Sequence, residues 1–233
     1  MANYLFQLHH GHIIVNVEGR PCLLDSGAPF SVGYEPLCID GRAFPVEDSY
    51  MGVTASYLAE HIGIPVEGMI GADVMREFNL SIHMAERMVQ FHHLNPVGEI
   101  AVPVQLMYGE LPVISVRVQG RVRRMFFDTG AATSYLLPDA LIGTEPDGRH
   151  EDFYPLLGSF LTAIYHLPVE IGGHQRRFRF GQVPEELRAM LRAANVQGMI
   201  GTELLRHFGV SLSLRDKVLH LESPHNKVGL AAG

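Results

Sequence analysis

Apolar and polar residues alternate at Ile13, Val15 and Val17, and again at Ile114, Val116 and Val118, the period-two pattern of half-buried β-strands. Each run turns at a glycine, Gly19 or Gly120. A short apolar segment follows in both places, "CLLD" (22–25) and "MFFD" (125–128), and reads as a buried strand that stops at an aspartate. Farther along, "ADVMREF" (72–78) and "TELLRHF" (202–208) space apolar residues three to four apart, which predicts about two helical turns each. "LSIHMAERMVQF" (80–91) and "VSLSLRDKVLHL" (210–221) read as hairpins turning at Ala85-Glu86-Arg87 and Arg215-Asp216-Lys217. "PEELRAMLRAAN" (184–195) predicts a helix, with Pro184 at its start and acidic residues in its first turn. The expected fold class is mostly β with short helices.

The paired patterns belong to a repeat. Residues 68–91, "GMIGADVMREFNLSIHMAERMVQF", align without gaps to 198–221, "GMIGTELLRHFGVSLSLRDKVLHL". Arg76 matches Arg206, Phe78 matches Phe208 and Ser81 matches Ser211. Upstream, "VNVEGR" (15–20) matches "VRVQGR" (116–121), and "FQLHHG" (6–11) matches "VQLMYG" (104–109), in the same order. The chain therefore reads as a duplicated unit, 1–95 and 96–222, joined within "HHLNPVGEIAVP" (92–103), with a frayed tail at 223–233. From Asp25 to Gly71 the first unit runs 46 residues, and from Asp128 to Gly201 the second runs 73. The extra material predicts a hairpin turning near Leu157-Gly158-Ser159 and another turn at Gly172-Gly173.

Composition narrows the function. Of 233 residues, 47% are apolar and 18% charged, the profile of a globular protein. A net charge of −7, without a basic run, argues against a nucleic-acid partner. No window reaches the about 20 apolar residues of a membrane span, and the N-terminus lacks the features of a secretory signal. Two cysteines, Cys22 and Cys38, make no disulfide framework and fit a reducing compartment, so a cytoplasmic protein is expected. Cys22, in an apolar strand, reads as a core residue. Thirteen histidines include "HHGH" (9–12) and "HHLN" (92–95), but without paired metal-ligand spacing or an acidic cluster; these read as surface or half-buried, and no metal is expected. His83 and His207 lack a matching histidine in the other unit, which argues against a symmetric catalytic role.

The chemistry lies in "LLDSGA" (23–28) and "FFDTGA" (126–131). If the units pack about a pseudo-twofold, Asp25 and Asp128 meet. Two carboxylates in one place cannot easily both ionise, so one keeps a proton and acid and base stand side by side. Gly27 and Gly130 allow a sharp turn that aims N–H groups at the carboxylates, and the Ser26 and Thr129 hydroxyls can bond across the axis. A plain pair of strand-end aspartate turns is the bland alternative; the duplication of the whole context weighs against it.

With these residues in view, the chain resembles the aspartic proteases of the pepsin/retropepsin superfamily. "LLDSGA" and "FFDTGA" match the catalytic loops, and "MIGADVM" and "MIGTELL" the downstream apolar-apolar-glycine motif, in which Gly71 and Gly201 are structural supports. The resemblance spans residues 5–222 and implies a bilobal acid-protease fold of two retropepsin-like, β-barrel-like units in one chain. Only the second unit has room for a flap, with "YPLLGSF" (154–160) as its tip. Tyr154 matches the flap tyrosine of pepsins, Phe160 competes for that place, and Gly158 lies in the turn; both aromatics, and Tyr165, fit ordinary strand positions equally well. Ala28 and Ala131 stand where many pepsins carry a hydroxyl donor to the carboxylate, which predicts activity at mildly acidic to near-neutral pH. The implied function is endopeptidase action on a peptide or unfolded protein by a monomer, without a cofactor. Two other functions fit the same residues: a catalytically silent or weakly active peptide-binding module, and a processing or assembly protein whose units pair with a second chain.

Overall fold

The computed structural model describes residues 1–95, 98–108, 110–154 and 157–223. Pro96 and Val97 in the expected join, Gly109, Pro155 and Leu156 at the expected flap tip, and the tail beyond Ser223 lie outside the described residues.

The molecule is mostly β, as expected. In the first half, Ala2–His9, His12–Val17 and Arg20–Leu24 form two consecutive hairpins. Arg20–Leu24 then pairs in parallel with Gly68–Ile70, which also carries Val32–Gly33 on its other side. The second half repeats this succession with Ile100–Met107, Leu111–Val118 and Arg121–Phe127, the last in parallel with Gly198–Ile200. Gly198–Ile200 carries Ser134–Leu136 in turn. The hairpins Asn79–His83/Met88–His92 and Gly209–Ser213/Val218–Glu222 turn where the sequence places them.

These terminal hairpins join the halves. Ile100–Met107, Val218–Glu222, Gly209–Ser213, Asn79–His83, Met88–His92 and Ala2–His9 make one continuous antiparallel sheet. At its centre Ser81 faces its repeat partner Ser211, with the two Oγ atoms 2.7 Å apart. One large apolar core runs beneath the sheet through both halves, and includes Phe78 and Phe208 at 0% and 2% exposure. Phe78 meets Phe44 and Phe91 edge-on at 5.6 and 5.5 Å, a geometry favoured by ring quadrupoles.

Three local expectations are corrected. The two-turn helices are shorter: Ala72–Met75 (α2) is a single α-turn, and Thr202–Arg206 is a 3-10 helix. Phe78 and Phe208 are drawn into the core immediately afterwards and the next strands begin at Asn79 and Gly209, which leaves no length for a second turn. Gly158 and Ser159, expected in the flap turn, belong instead to the second strand of the hairpin, where they pair with Tyr154 and Phe153. The histidine clusters are not uniformly peripheral, since His12 and His92 are buried at 7% and 8% exposure. A helix absent from the sequence reading, Ala55–Ile62 (α1), packs Leu58 and Ile62 beside the parallel strand pair of the first half. Its counterpart Glu185–Ala193 (α3) occupies the equivalent place in the second, with Leu187 and Leu191 buried.

Candidate active site

The parallel strand pairs deliver the two aspartates. Asp25 N–H donates to Ile70 O at 3.0 Å, and Asp128 N–H to Ile200 O at 2.9 Å, so each acidic loop leaves its sheet at the same point. Gly71 and Gly201 follow at once. A Cβ on Gly71 would lie 2.6 Å from the Phe30 carbonyl carbon, and one on Gly201 would lie 2.3 Å from Ala131 O. Only glycine permits so close a passage. The chain then locks to each loop: Ala72 N–H donates to Ala28 O at 2.8 Å and Thr202 N–H to Ala131 O at 2.9 Å.

Across the pseudo-twofold the loops are braced reciprocally. Ser26 N–H donates to Thr129 Oγ1 at 2.9 Å, and Thr129 N–H donates to Ser26 Oγ at 3.0 Å. The same hydroxyls pass their own protons on, Ser26 Oγ to Phe127 O and Thr129 Oγ1 to Leu24 O, each at 2.9 Å. Ser26 and Thr129 are fully buried, so every one of these groups depends on its partner.

Above the brace the two carboxyls meet. Asp25 and Asp128 face each other closely enough for each carboxyl to influence the other's proton. Gly27 N–H donates to Asp25 Oδ1 at 2.8 Å, while Asp128 Oδ1 accepts from Gly130 N–H at 2.9 Å and Ala131 N–H at 3.1 Å. Each carboxyl also rests against the opposite glycine: a Cβ on Gly130 would fall 2.4 Å from Asp25 Cγ, and one on Gly27 would fall 2.5 Å from Asp128 Cγ. Burial raises the Asp25 carboxyl well above the usual carboxylate range, followed by the charge of Asp128 and the hydrogen bond with it. Burial raises Asp128 too, against the lowering from its bond with Asp25 and from the Ala131 and Gly130 amides. The pair therefore holds one proton between them over a span of pH, and titrates as a unit.

The dyad lines a cleft shared by the two halves and open to solvent. One wall is apolar and belongs to the first half, with Leu23, Val53, Leu58, Ile62 and Met69. The other carries Tyr135, Met199 and the carboxylate of Asp152, which accepts from the Tyr135 hydroxyl and, at 2.8 Å, from Phe153 N–H. Strands Gly148–Tyr154 and Gly158–Ile171 pair as a hairpin whose first strand borders the cleft. Tyr154 lines the cleft, and its hydroxyl is pushed up by burial and then by the charges of Asp128 and Asp25. Phe160 lies across the hairpin from Asp152 and faces Tyr135, ring to ring at 6.0 Å. Gly158 adopts φ +70 at the start of its strand, and Tyr165 is a core residue. The flap reaches the other half of the molecule: the Phe153 ring stacks on His61 of α1 at 4.7 Å, and His61 lies 4.0 Å from Tyr57.

The sequence reading did not anticipate several residues at the cleft. Tyr50 and Met51 enter from a short turn closed by the Tyr50↔Val53 bridge, which stands opposite the flap in the first half. His12 emerges from the "HHGH" cluster, and its Nδ1 bonds to Gly130 O at 3.0 Å. Leu58 and Ile62 had a signal in their four-residue spacing after Thr54, whose hydroxyl caps α1 by accepting from Tyr57 N–H at 3.1 Å. Nothing local marks His12 or Tyr50. Cys22 is a core residue as expected, its thiol pushed up by burial to about 12.

No family model matches the chain, and no curated protein matches it. Among solved structures it is similar to a retropepsin-like aspartic protease from Rickettsia conorii, at 19% identity and a TM-score of 0.39, over 57% of this chain and 96% of that one.

Proposed function

We propose that the protein is an aspartic endopeptidase whose two acids, Asp25 and Asp128, come from one chain. The observation that carries this reading is the facing, half-buried carboxyl pair that lines the cleft, each carboxyl seated against the glycine of the opposite loop. In such a pair the ionised carboxylate takes a proton from a water molecule as its oxygen bonds the peptide carbonyl carbon. The protonated acid gives its proton to the carbonyl oxygen. Collapse of the tetrahedral species breaks the C–N bond, with a proton returned to the departing nitrogen. Neither a metal nor a covalent intermediate is required. The apolar walls and the overhanging hairpin suit an extended peptide, held by main-chain hydrogen bonds with alternate side chains in pockets.

The test is digestion of an unstructured protein by the purified chain. Cleavage that is abolished in Asp25→Asn and in Asp128→Asn, and blocked by a statine-type transition-state mimic, supports the proposal. Binding of peptide without turnover would mark a peptide-binding module instead. Sedimentation adds a second check: a monomer is expected, since both aspartates reside in each chain, and an obligate dimer would count against it.

A further inference from the structure

The dyad is symmetric in its aspartates but not in what stands behind them. His12 begins the strand His12–Val17 and reaches across to the second acidic loop. A carbonyl oxygen only accepts, so the 3.0 Å contact with Gly130 O makes His12 Nδ1 the donor. That carbonyl belongs to the peptide group whose other end, Ala131 N–H, donates to Asp128 Oδ1 at 3.1 Å. The result is a relay of dipoles running from imidazole N–H through one peptide to the carboxylate. Each bond in such a chain polarises the next, which strengthens the final donor.

The Ala28 amide acts on Asp25 in the same way, but among the described residues no side chain donates to the carbonyl of that peptide, Gly27 O. Strand pairing identifies the counterpart of His12: His9 faces His12 in one hairpin, and Met107 faces Leu111 in the other. Counting back from the acids agrees, because Ile14 faces Leu23 and Val113 faces Phe126. The Leu111 side chain has no hydrogen-bonding group. The turn before His12 is docked on the second half. Gly11, with φ +93, leaves room where a Cβ would meet Ala132 Cβ at 2.9 Å, and Gly11 O accepts from Thr202 Oγ1 at 2.8 Å. Ala72, the repeat partner of Thr202, cannot make that bond. Alanine follows both acidic glycines, so neither loop supplies a hydroxyl of its own at that position.

We infer that His12 is a positioning residue that breaks the equivalence of the dyad, holding Asp128 as the ionised base and leaving the proton on Asp25. This rests on the protease reading for its catalytic meaning. It assigns the roles: water gives its proton to Asp128, and the carbonyl oxygen takes its proton from Asp25. The charged and titratable groups around the relay are Asp152 of the flap, His9 and His10 of the preceding strand and turn, and, facing Asp128, Asp25 and Tyr154. Burial makes His12 itself harder to protonate, so the relay works with the neutral imidazole.

Two measurements test the assignment. In the unaltered protein, ¹³C NMR titration of the aspartate carboxyls, assigned by their loss in Asp25→Asn and Asp128→Asn, is expected to show Asp128 ionising first. Equal titration, or Asp25 first, overturns the inference, and this readout needs no turnover. The second is the pH profile of kcat/KM for His12→Leu, which installs the residue of the other half, and His12→Asn, whose amide can donate from the Nδ1 position. His12→Leu should move the acid limb to higher pH by about 0.5 to 1 unit, the worth of one such bond, with His12→Asn restoring it. An equal loss at every pH in both variants, or no shift, reduces His12 to a structural contact and overturns the assignment. If no peptide is cleaved yet Asp128 ionises first and His12→Leu abolishes that order, the relay stands and the protease reading falls.

Discussion

The reciprocal brace beneath the dyad gives the sharpest stability prediction. Thr129→Val keeps the shape of the side chain and deletes one oxygen. That oxygen accepts from Ser26 N–H and donates to Leu24 O, both at 2.9 Å, in a site with no solvent access. Water cannot replace it, so two buried backbone groups lose their partner. Each orphaned group costs about 1–3 kcal/mol, which puts the variant about 2–6 kcal/mol below wild type. For a chain of this size that lowers Tm by roughly 4–24 °C. Ser26→Ala removes the mirror-image bonds to Phe127 O and from Thr129 N–H and should cost a similar amount. The double variant should cost less than the sum by about 0.5–3 kcal/mol, because relaxation of either loop already weakens the bonds of the other. Urea unfolding followed by far-UV circular dichroism measures all three. A Thr129→Val protein within about 0.5 kcal/mol of wild type, or strictly additive losses, would refute the brace as a coupled unit.

Three further outcomes follow from the same geometry. The Asp25 carboxyl is raised by burial, so the folded protein binds more protons than the unfolded chain, and this part of its stability is complete below the unfolded pKa near about 4 and lost as pH rises through the folded value. Asp25→Asn should therefore raise Tm at pH 7 relative to wild type, with the difference shrinking below about pH 4; an identical difference at both pH values contradicts it. Gly130→Ala places a methyl group 2.4 Å from Asp25 Cγ, so it should abolish cleavage and lower Tm, and a variant with wild-type kcat/KM would show that the loop does not meet Asp25. Phe153→Ala removes the flap's stack on His61 and should raise KM several-fold, at about the 0.5–1.5 kcal/mol worth of an aromatic pair; an unchanged KM would mean that the flap closes without it.

The amino-acid order exposes the parts of this site that are built locally. "LLDSGA" and "FFDTGA" carry their geometry within six residues: an apolar strand, an acid, a hydroxyl and a glycine without which the opposite carboxyl has no room. The two "GMIG" segments are legible through their repetition, although their glycines answer steric demands from distant residues, Gly71 from Phe30 and Gly201 from Ala131. Repetition then supplies the pairing, since equivalent residues of two like units meet. What stayed hidden depends on contacts across about a hundred residues or on competition between neighbours. His12 acquires its role only when its turn docks on Ala132, and the helices after Gly71 and Gly201 are cut short by the burial of Phe78 and Phe208. Strand pairing also shows that the two hairpins leading to the acids differ in length. The repeat matches at their turns, Val17↔Arg20 and Val118↔Arg121, but the second hairpin is longer toward its acid. That displacement sets Leu111 opposite His12, a correspondence that alignment of "VNVEGR" with "VRVQGR" does not reveal.

The central claim is that the joined carboxyls of Asp25 and Asp128 hydrolyse peptide bonds. Its most direct test is the rate of new N-terminus formation from an unfolded substrate across pH 3–8, for wild type and for Asp25→Asn. The account predicts a bell-shaped profile in wild type, peaking between mildly acidic and neutral pH because both acids are raised by burial, and a flat baseline in the variant. Equal rates in the two proteins, or a wild-type optimum confined below pH 3, would contradict it.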